Sequence, residues 1–330
     1  MAIIRSFPCS SYYRNIELGK RDHRSSVDKR RTIMGITFQL FKDGDIEKIS
    51  NSLGNSKYEF NNIGKVTWDC FSKHPCFEMF HPEKIGIWED GGEVVGRVSL
   101  DSPWYGDVII YVHPEYPQLC TDMLQYAETT FAGTDDNGNK YINIFANEGD
   151  ALHDSLEANG YTKGSEGRTL SYSLSEPIQD APIPEGFQIK SLQEVYNFEK
   201  LNDLLWKAFD YKGEPPAYDD EVYLPIKHAW LDYRQEICTV AVAPDHSYAS
   251  FCGMWFDADT KAAFIEPLAT AQKYRNRGLA RACIYESMKK CKELGANIVF
   301  VAPDEEPFPW YKSIGFKQAS KSYCWSKSLK

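Results

Sequence analysis

The stretch whose reading decides the fold runs from Ala262 to Ala280, AAFIEPLATAQKYRNRGLA. It opens as an apolar, strand-like run from Ala262 to Thr270. It then breaks into a polar loop with Arg275, Asn276, Arg277 and Gly278, and continues as a helical pattern from Leu279 to Leu294. The first backbone N–H groups of a helix have no internal acceptor, and the helix dipole places partial positive charge there. A strand feeding a Gly-containing basic loop that opens a helix therefore makes an anion site. Gly278 permits a tight turn and a close approach of backbone to ligand. Arg275 and Arg277 add formal charge, so the expected guest is a di- or triphosphate-like group.

Upstream of this stretch the second half of the chain reads as strand Phe187 to Leu192, helix Gln193 to Phe209, helix Asp219 to Trp230, and strands Glu236 to Ala243 and Tyr248 to Asp257. Downstream come strand Asn297 to Ala302, a short helix ending near Ile314, the turn Gly315-Phe316 and strand Tyr323 to Ser328. The first half repeats the order. Strand Ile36 to Phe41 is followed by helix Gly44 to Leu53 and a helical stretch at Lys65 to Phe71. Next is a hairpin, KIGIWED and EVVGRVSL about a Gly91-Gly92 turn, which alternation and the turn residues both support. Strand Gly106 to Val112, helix Gln118 to Phe131, strand Tyr141 to Ala146, helix Ala151 to Asn159, the turn Gly160-Tyr161 and strand RTLSYSLS complete it. Tyr116 matches Tyr274 and Gly160-Tyr161 matches Gly315-Phe316, at offsets of 158 and 155 residues. The expected fold class is α/β with a mixed α+β sheet, in two tandem copies. The boundaries read as a flexible basic arm at 1–33, a first domain at 34–173, a proline-containing linker at 174–186 and a second domain at 187–330.

Composition bounds the function. The chain has 330 residues, 42% of them hydrophobic, which suits two globular domains. No apolar run reaches the roughly 20 residues that span a bilayer. Nine cysteines lie scattered with no CxxC pair, so the reading is reduced thiols in a cytoplasm, without a metal. Net charge is −10, which speaks against a nucleic-acid partner and is compatible with a cationic acceptor. Residues 1–33 are the exception, with eight Lys/Arg against three acids.

The second half resembles the GNAT superfamily of N-acetyltransferases. Arg275-Asn276-Arg277-Gly278-Leu279-Ala280 is similar to that family's R/Q-x-x-G-x-G/A loop. The preceding strand Phe264 to Thr270 and the closing Trp310-Tyr311-Lys312-Ser313-Ile314-Gly315-Phe316, similar to its Y-x-x-x-G-F signature, stand in the expected order. The resemblance covers about residues 184 to 330. It implies acetyl-CoA as co-substrate, with its pyrophosphate at Arg275, Asn276, Arg277, Gly278, Leu279 and Ala280 and its pantetheine arm along Leu268, Ala269 and Thr270. Tyr311 matches the family tyrosine that gives a proton to the CoA sulfur. Departures stand at Asp304, Pro307 and Pro309, in the loop before that tyrosine. The first half resembles the same fold with the cradle erased. Pro117 stands opposite Arg275, Cys120 opposite Gly278, Asp122 opposite Ala280 and Leu156 opposite Tyr311. A proline removes an N–H and an acid at a helix start repels phosphate. One active site per chain is expected.

Transfer of an acetyl group to an amine needs a base, because an alkyl amine is protonated near neutral pH. Glu266 is the carboxylate on the strand, with Phe264, Glu266 and Leu268 expected on one face by period-two alternation. The oxyanion would meet a backbone N–H near Leu268. The acceptor pocket is expected from an aromatic region with acids, with Trp206, Tyr211, Trp230 and Trp255 as candidates for a cationic amine. The same residues also suit a packed core beside an acidic loop. The leading reading is an N-acetyltransferase acting on a small-molecule amine, as a monomer or homodimer, with no nucleic-acid or membrane partner. The alternatives are an acyl or aminoacyl transferase with another donor and a CoA-binding regulatory protein without turnover.

Overall fold

The computed structural model describes residues 32–33, 35–54, 64–65, 68–69, 72, 77–210, 213, 234–303 and 307–330. Residues 1–31 of the arm expected at 1–33, the expected helix Asp219 to Trp230, much of the helical stretch at Lys65 to Phe71, and the residues Tyr211, Trp230 and Asp304 lie outside them.

The first half contains β1 (Thr32–Ile33), β2 (Ile36–Leu40), α1 (Asp45–Gly54), β3 (Gly86–Asp90), β4 (Glu93–Leu100), β5 (Asp107–Val112), α2 (Cys120–Thr130), β6 (Gly133–Thr134), β7 (Lys140–Asn147), α3 (Ala151–Ala158) and β8 (Thr162–Ser173). The second contains β9 (Gln188–Ser191), α4 (Leu192–Val195), α5 (Phe198–Ala208), β10 (Thr239–Val242), β11 (Tyr248–Asp257), β12 (Ala262–Thr270), α6 (Leu279–Glu293), β13 (Ile298–Val301), α7 (Phe308–Ser313) and β14 (Lys317–Leu329).

Local chemistry explains most boundaries. The β3–β4 hairpin turns on Gly91 and Gly92, both left-handed (φ 57° and 95°), as a two-residue primed turn requires. The expected single helix Gln193 to Phe209 is instead two. Ser191 and Glu194 form a reciprocal cap on α4, Tyr196 leaves the helical conformation (φ −50°, ψ 120°), and extended Asn197 accepts from the Lys200 N–H at 2.8 Å to start α5. A residue that caps a new helix competes with continuation of the old one.

The described strands form one sheet in the order β1-β2-β3-β4-β5-β7-β14-β8-β13-β12-β11-β10-β9, with β6 on β7. Each half contributes a strand–helix–strand crossover with a parallel pair, β5–β7 and β12–β13. The last strands are exchanged. β8, from the first half, pairs with β13, and β14, from the second, pairs with β7. β8 and β14 also pair with each other along Lys317↔Ser171 to Ser326↔Thr162. The cores follow the exchange: Trp325 of β14 is buried with the first half, while Leu170 and Tyr172 of β8 are buried with the second. Gly315 (φ 98°) permits this crossing, because a Cβ there would lie 2.7 Å from the Tyr172 ring. The segment 174–186 therefore separates the halves in chain order but not in the sheet.

An ionic contact also links the halves. Lys65, 6% exposed, lies 3.0 Å from Asp69 and 2.6 Å from Asp257. Burial disfavours the ammonium, but the two carboxylates outweigh it and hold its pKa above the ordinary lysine value.

The exchange makes a mechanical prediction. A chain cut once within 177–186 should elute from size exclusion as a single particle containing both fragments. Separation of the fragments without denaturant would show that the exchanged strands do not hold the halves together.

Candidate active site

β12 is paired to β13 over only Ala262↔Ile298, Ala263↔Val299 and Phe264↔Phe300. The strand continues to Thr270, so from Ile265 onward its β13-facing edge diverges from its neighbour. A bulge sits at the divergence. Met254 opposes Ile265 and Cys252 opposes Leu268, leaving Glu266 and Pro267 against the single residue Gly253. The Glu266–Pro267 peptide is cis. Gly253 is required by sterics, since a Cβ would approach Glu266 O to 2.5 Å and Pro267 Cδ to 2.9 Å.

The bulge corrects one sequence expectation. Phe264 packs in a small cluster with Ala262 and Phe300, whereas Leu268 packs against the main core of the second half. Phe264, Glu266 and Leu268 therefore do not share one face; the extra residue shifts the alternation after Glu266. Pro267, which cannot donate to a ladder, was the available signal.

The loop after β12 is rigidly built. Tyr274 donates to Asp245 at 3.1 Å and packs edge-on against Phe187. The Arg277 guanidinium lies 5.8 Å from the Tyr274 ring centre. Asn276 and Gly278 are left-handed (φ 61° and 79°). Arg275 bonds to carbonyls at both neighbouring elements, Nη2 to Ala208 O at 2.7 Å and Nε to Thr270 O at 3.2 Å, and lies 3.7 Å from Asp210. It ties the loop to α5, whereas Arg277, also exposed, has its guanidinium near the Tyr274 ring. The first bond of α6 is Ala282 N–H to Gly278 O, and no side chain caps this end. The N–H groups of Leu279, Ala280 and Arg281 thus precede any helical partner.

Sequence reasoning missed Arg281. Its Nη2 lies 4.0 Å from where a Cβ on Gly278 would stand, and its buried Nε has no hydrogen-bond partner. A basic residue one turn inside a Gly-started helix was the signal. An orphaned buried donor beside uncapped N–H groups fits a phosphate group. The carbonyl of Pro182 comes equally near, and Asp180 pairs with Lys289 of α6 at 2.6 Å, so the 174–186 segment lies along this helix.

The remaining candidates divide. Thr270 shares a hydroxyl contact with Ser250 at 2.8 Å, and Ala269 O accepts from Ser250 at 3.0 Å. Trp255 donates its indole N–H to Glu266 O at 3.2 Å, which places it beside the catalytic candidate. Trp206 lies on α5 and donates to Gly213 O at 2.9 Å. Tyr311 is 4% exposed, between Trp310 and Phe316. Burial, then Cys252 and Glu266, push its pKa above the ordinary tyrosine range, so the hydroxyl stays protonated at neutral pH. Glu266 is the carboxylate among the groups that act on Tyr311.

A cleft of about 310 Å³ opens beside Trp255. Its walls are α1, through Ile46, Glu47, Ser50 and Asn51, the ion pair Lys65–Asp69, and the β11 end at Trp255 to Asp257. Among the described residues no group of His, Cys, Asp and Glu is placed to hold a metal ion. No described helix is long and apolar enough to cross a membrane.

The first half has the same layout without the cradle. Cys120 is right-handed (φ −52°), Pro117 precedes it, and Asp122 in the first turn of α2 accepts from the Trp88 indole at 3.0 Å.

Residues 198–316, within the second half, match the sequence model of the Acetyltransferase (GNAT) family. No curated protein matches the chain. Among solved structures, a GCN5-related N-acetyltransferase from Sphaerobacter thermophilus is similar at 15% identity and TM-score 0.62, over 90% of this chain and 97% of that one. A tandem GNAT protein from the clavulanic acid biosynthesis pathway is similar at 13% identity and TM-score 0.56, over 89% and 98%. At these identities the likeness is one of fold, and it extends over both halves.

The bulge is testable. Gly253→Ala should cost about 1–3 kcal/mol through forced backbone displacement, read as a lowered Tm. An unchanged Tm would mean that β11 and β12 do not meet as described.

Proposed function

We propose that the GNAT domain of this chain transfers an acetyl group from acetyl-CoA to a primary amine of a small molecule, by direct attack with both substrates bound. The observation that carries this reading is a single arrangement: a diverging strand, a left-handed Gly278, an uncapped helix start, and a buried protonated tyrosine on which a strand carboxylate acts.

Acetyl-CoA supplies an activated thioester. The backbone N–H groups at the start of α6, with Arg277 and Arg281, hold the pyrophosphate. The open edge of β12 at Leu268, Ala269 and Thr270 pairs with the pantetheine arm. Pro267 has no N–H, so the Leu268 N–H is the first donor past Glu266 and polarises the carbonyl. Glu266 takes a proton from the incoming ammonium, directly or through water. Tyr311 gives its proton to the departing sulfur, a role its raised pKa preserves across the physiological range.

The acceptor enters the cleft between α1 and β11, so the first half forms one wall of its pocket. Glu47 on its wall favours a cationic amine, Asp69 and Asp257 being held by Lys65, and Trp255 offers a ring face. A volume near 310 Å³ suits a small polar molecule rather than a polymer end. The six described free cysteines support a cytoplasmic setting.

The reading is tested by thiol release from acetyl-CoA across a panel of small amines. Glu266→Gln should lower kcat/KM by about 10²–10⁴ at neutral pH, the usual worth of a positioned base. Tyr311→Phe should lower kcat more than it raises KM, and the wild-type alkaline limb should not fall below about pH 10, the ordinary tyrosine value. If no amine raises release above background hydrolysis while CoA still binds, the chain is not an acetyltransferase of this kind.

A further inference from the structure

The first half keeps the diverging strand pair of the second, and its occupants differ. β5 pairs with β7 only through Asp107↔Asn143, Val108↔Ile144 and Ile109↔Phe145, the counterpart of Ala262 to Phe264 on β12. Counting onward, Tyr111 stands where Glu266 stands. Its cross-strand partner Arg97 stands where Gly253 stands.

Arg97 is 8% exposed. Its guanidinium lies 4.4 Å from the Trp68 ring centre, and Trp68 is packed with Phe41, Ile49, Leu53, Phe77 and Ile87. Nε and Nη1 of Arg97 are buried without a hydrogen-bond partner, and so is the Tyr111 hydroxyl. Among the described residues Tyr111 is the only titratable group acting on Arg97. Burial lowers the arginine pKa to about 10, which still leaves it charged at neutral pH. Burial raises that of Tyr111 to about 12, which leaves it neutral and a donor. A buried charge with no counter-ion and with unmet N–H groups is strongly unfavourable, and a ring face compensates it only in part. Three N–H hydrogens of Arg97 and one O–H thus converge without an acceptor.

We propose that Arg97, Tyr111 and Trp68 form a second ligand site, in the first half of the chain, for the carboxylate group of a small molecule. A carboxylate carries one negative charge against one guanidinium and accepts from both Arg97 and Tyr111. A phosphate monoester would bring close to two charges into an apolar cluster with a single cation. The site is not a CoA site, because Pro117, Cys120 and Asp122 supply no phosphate cradle.

The test uses the full chain with sodium acetate and inorganic phosphate as probes, at constant ionic strength. Tm and tryptophan fluorescence are read on wild type, Arg97→Met, Tyr111→Phe and Trp68→Phe. Acetate should raise the wild-type Tm saturably and change a fluorescence signal that Trp68→Phe lacks. Tyr111→Phe should weaken acetate binding about three- to tenfold, the worth of one hydrogen bond to a charged group. Arg97→Met should abolish the response and, without acetate, should melt higher than wild type. Equal acetate responses in wild type and Tyr111→Phe, or the absence of a saturable response in wild type, would overturn the site. Stronger binding of phosphate than of acetate would overturn the carboxylate assignment. The wild-type and Tyr111→Phe measurements stand even if Arg97→Met does not fold.

Discussion

Three residue pairs hold β12 to β13, and the rest of the site depends on that shortness. Backbone donors and acceptors on a strand must be met by a neighbour, by water or by a ligand. Once β12 leaves β13 after Phe264, its edge is free to take an extended guest. The same divergence aims the strand's end at the N-terminus of α6, so an anion and an extended arm can belong to one molecule. Any sequence that prolonged the β12–β13 ladder would close the notch.

The fold makes this notch twice, and side chains decide what each can do. In the second half a glycine at 253 admits the bulge that presents Glu266, and a left-handed glycine at 278 opens the helix. In the first half the matching positions hold Arg97 and Cys120, and an acid occupies the first helical turn. Exchange of β8 and β14 joins the two notches into one continuous sheet. α1 of the first half thereby becomes a wall of the cleft beside Trp255.

Much of this was legible in the sequence. β11 and β12 carry their predicted ends, because their apolar runs are bounded by turn residues. The order of elements and the repeat were readable from strand–helix alternation and two Gly-aromatic turns. The exchange of strands was not, since period-two alternation reveals a strand but not its neighbour. β14 runs from Lys317, well before the expected start at Tyr323, because its early residues QASKS are mostly polar, exposed or half-buried, and pair at first with β8 alone. The arginine inside the apolar strand EVVGRVSL was a visible anomaly whose meaning needed the pairing of Arg97 with Tyr111. Arg275 read as a phosphate ligand, and its hydrogen bonds to Ala208 and Thr270 make it a brace for the loop.

The central claim is that one of two similar notches binds the CoA donor. Isothermal titration of acetyl-CoA into the full chain measures it directly. The account predicts one molecule per chain, with binding lost in Gly278→Asp, which puts a carboxylate into the anion cradle and a side chain at a left-handed position. Two molecules per chain, or one that survives Gly278→Asp, would contradict it.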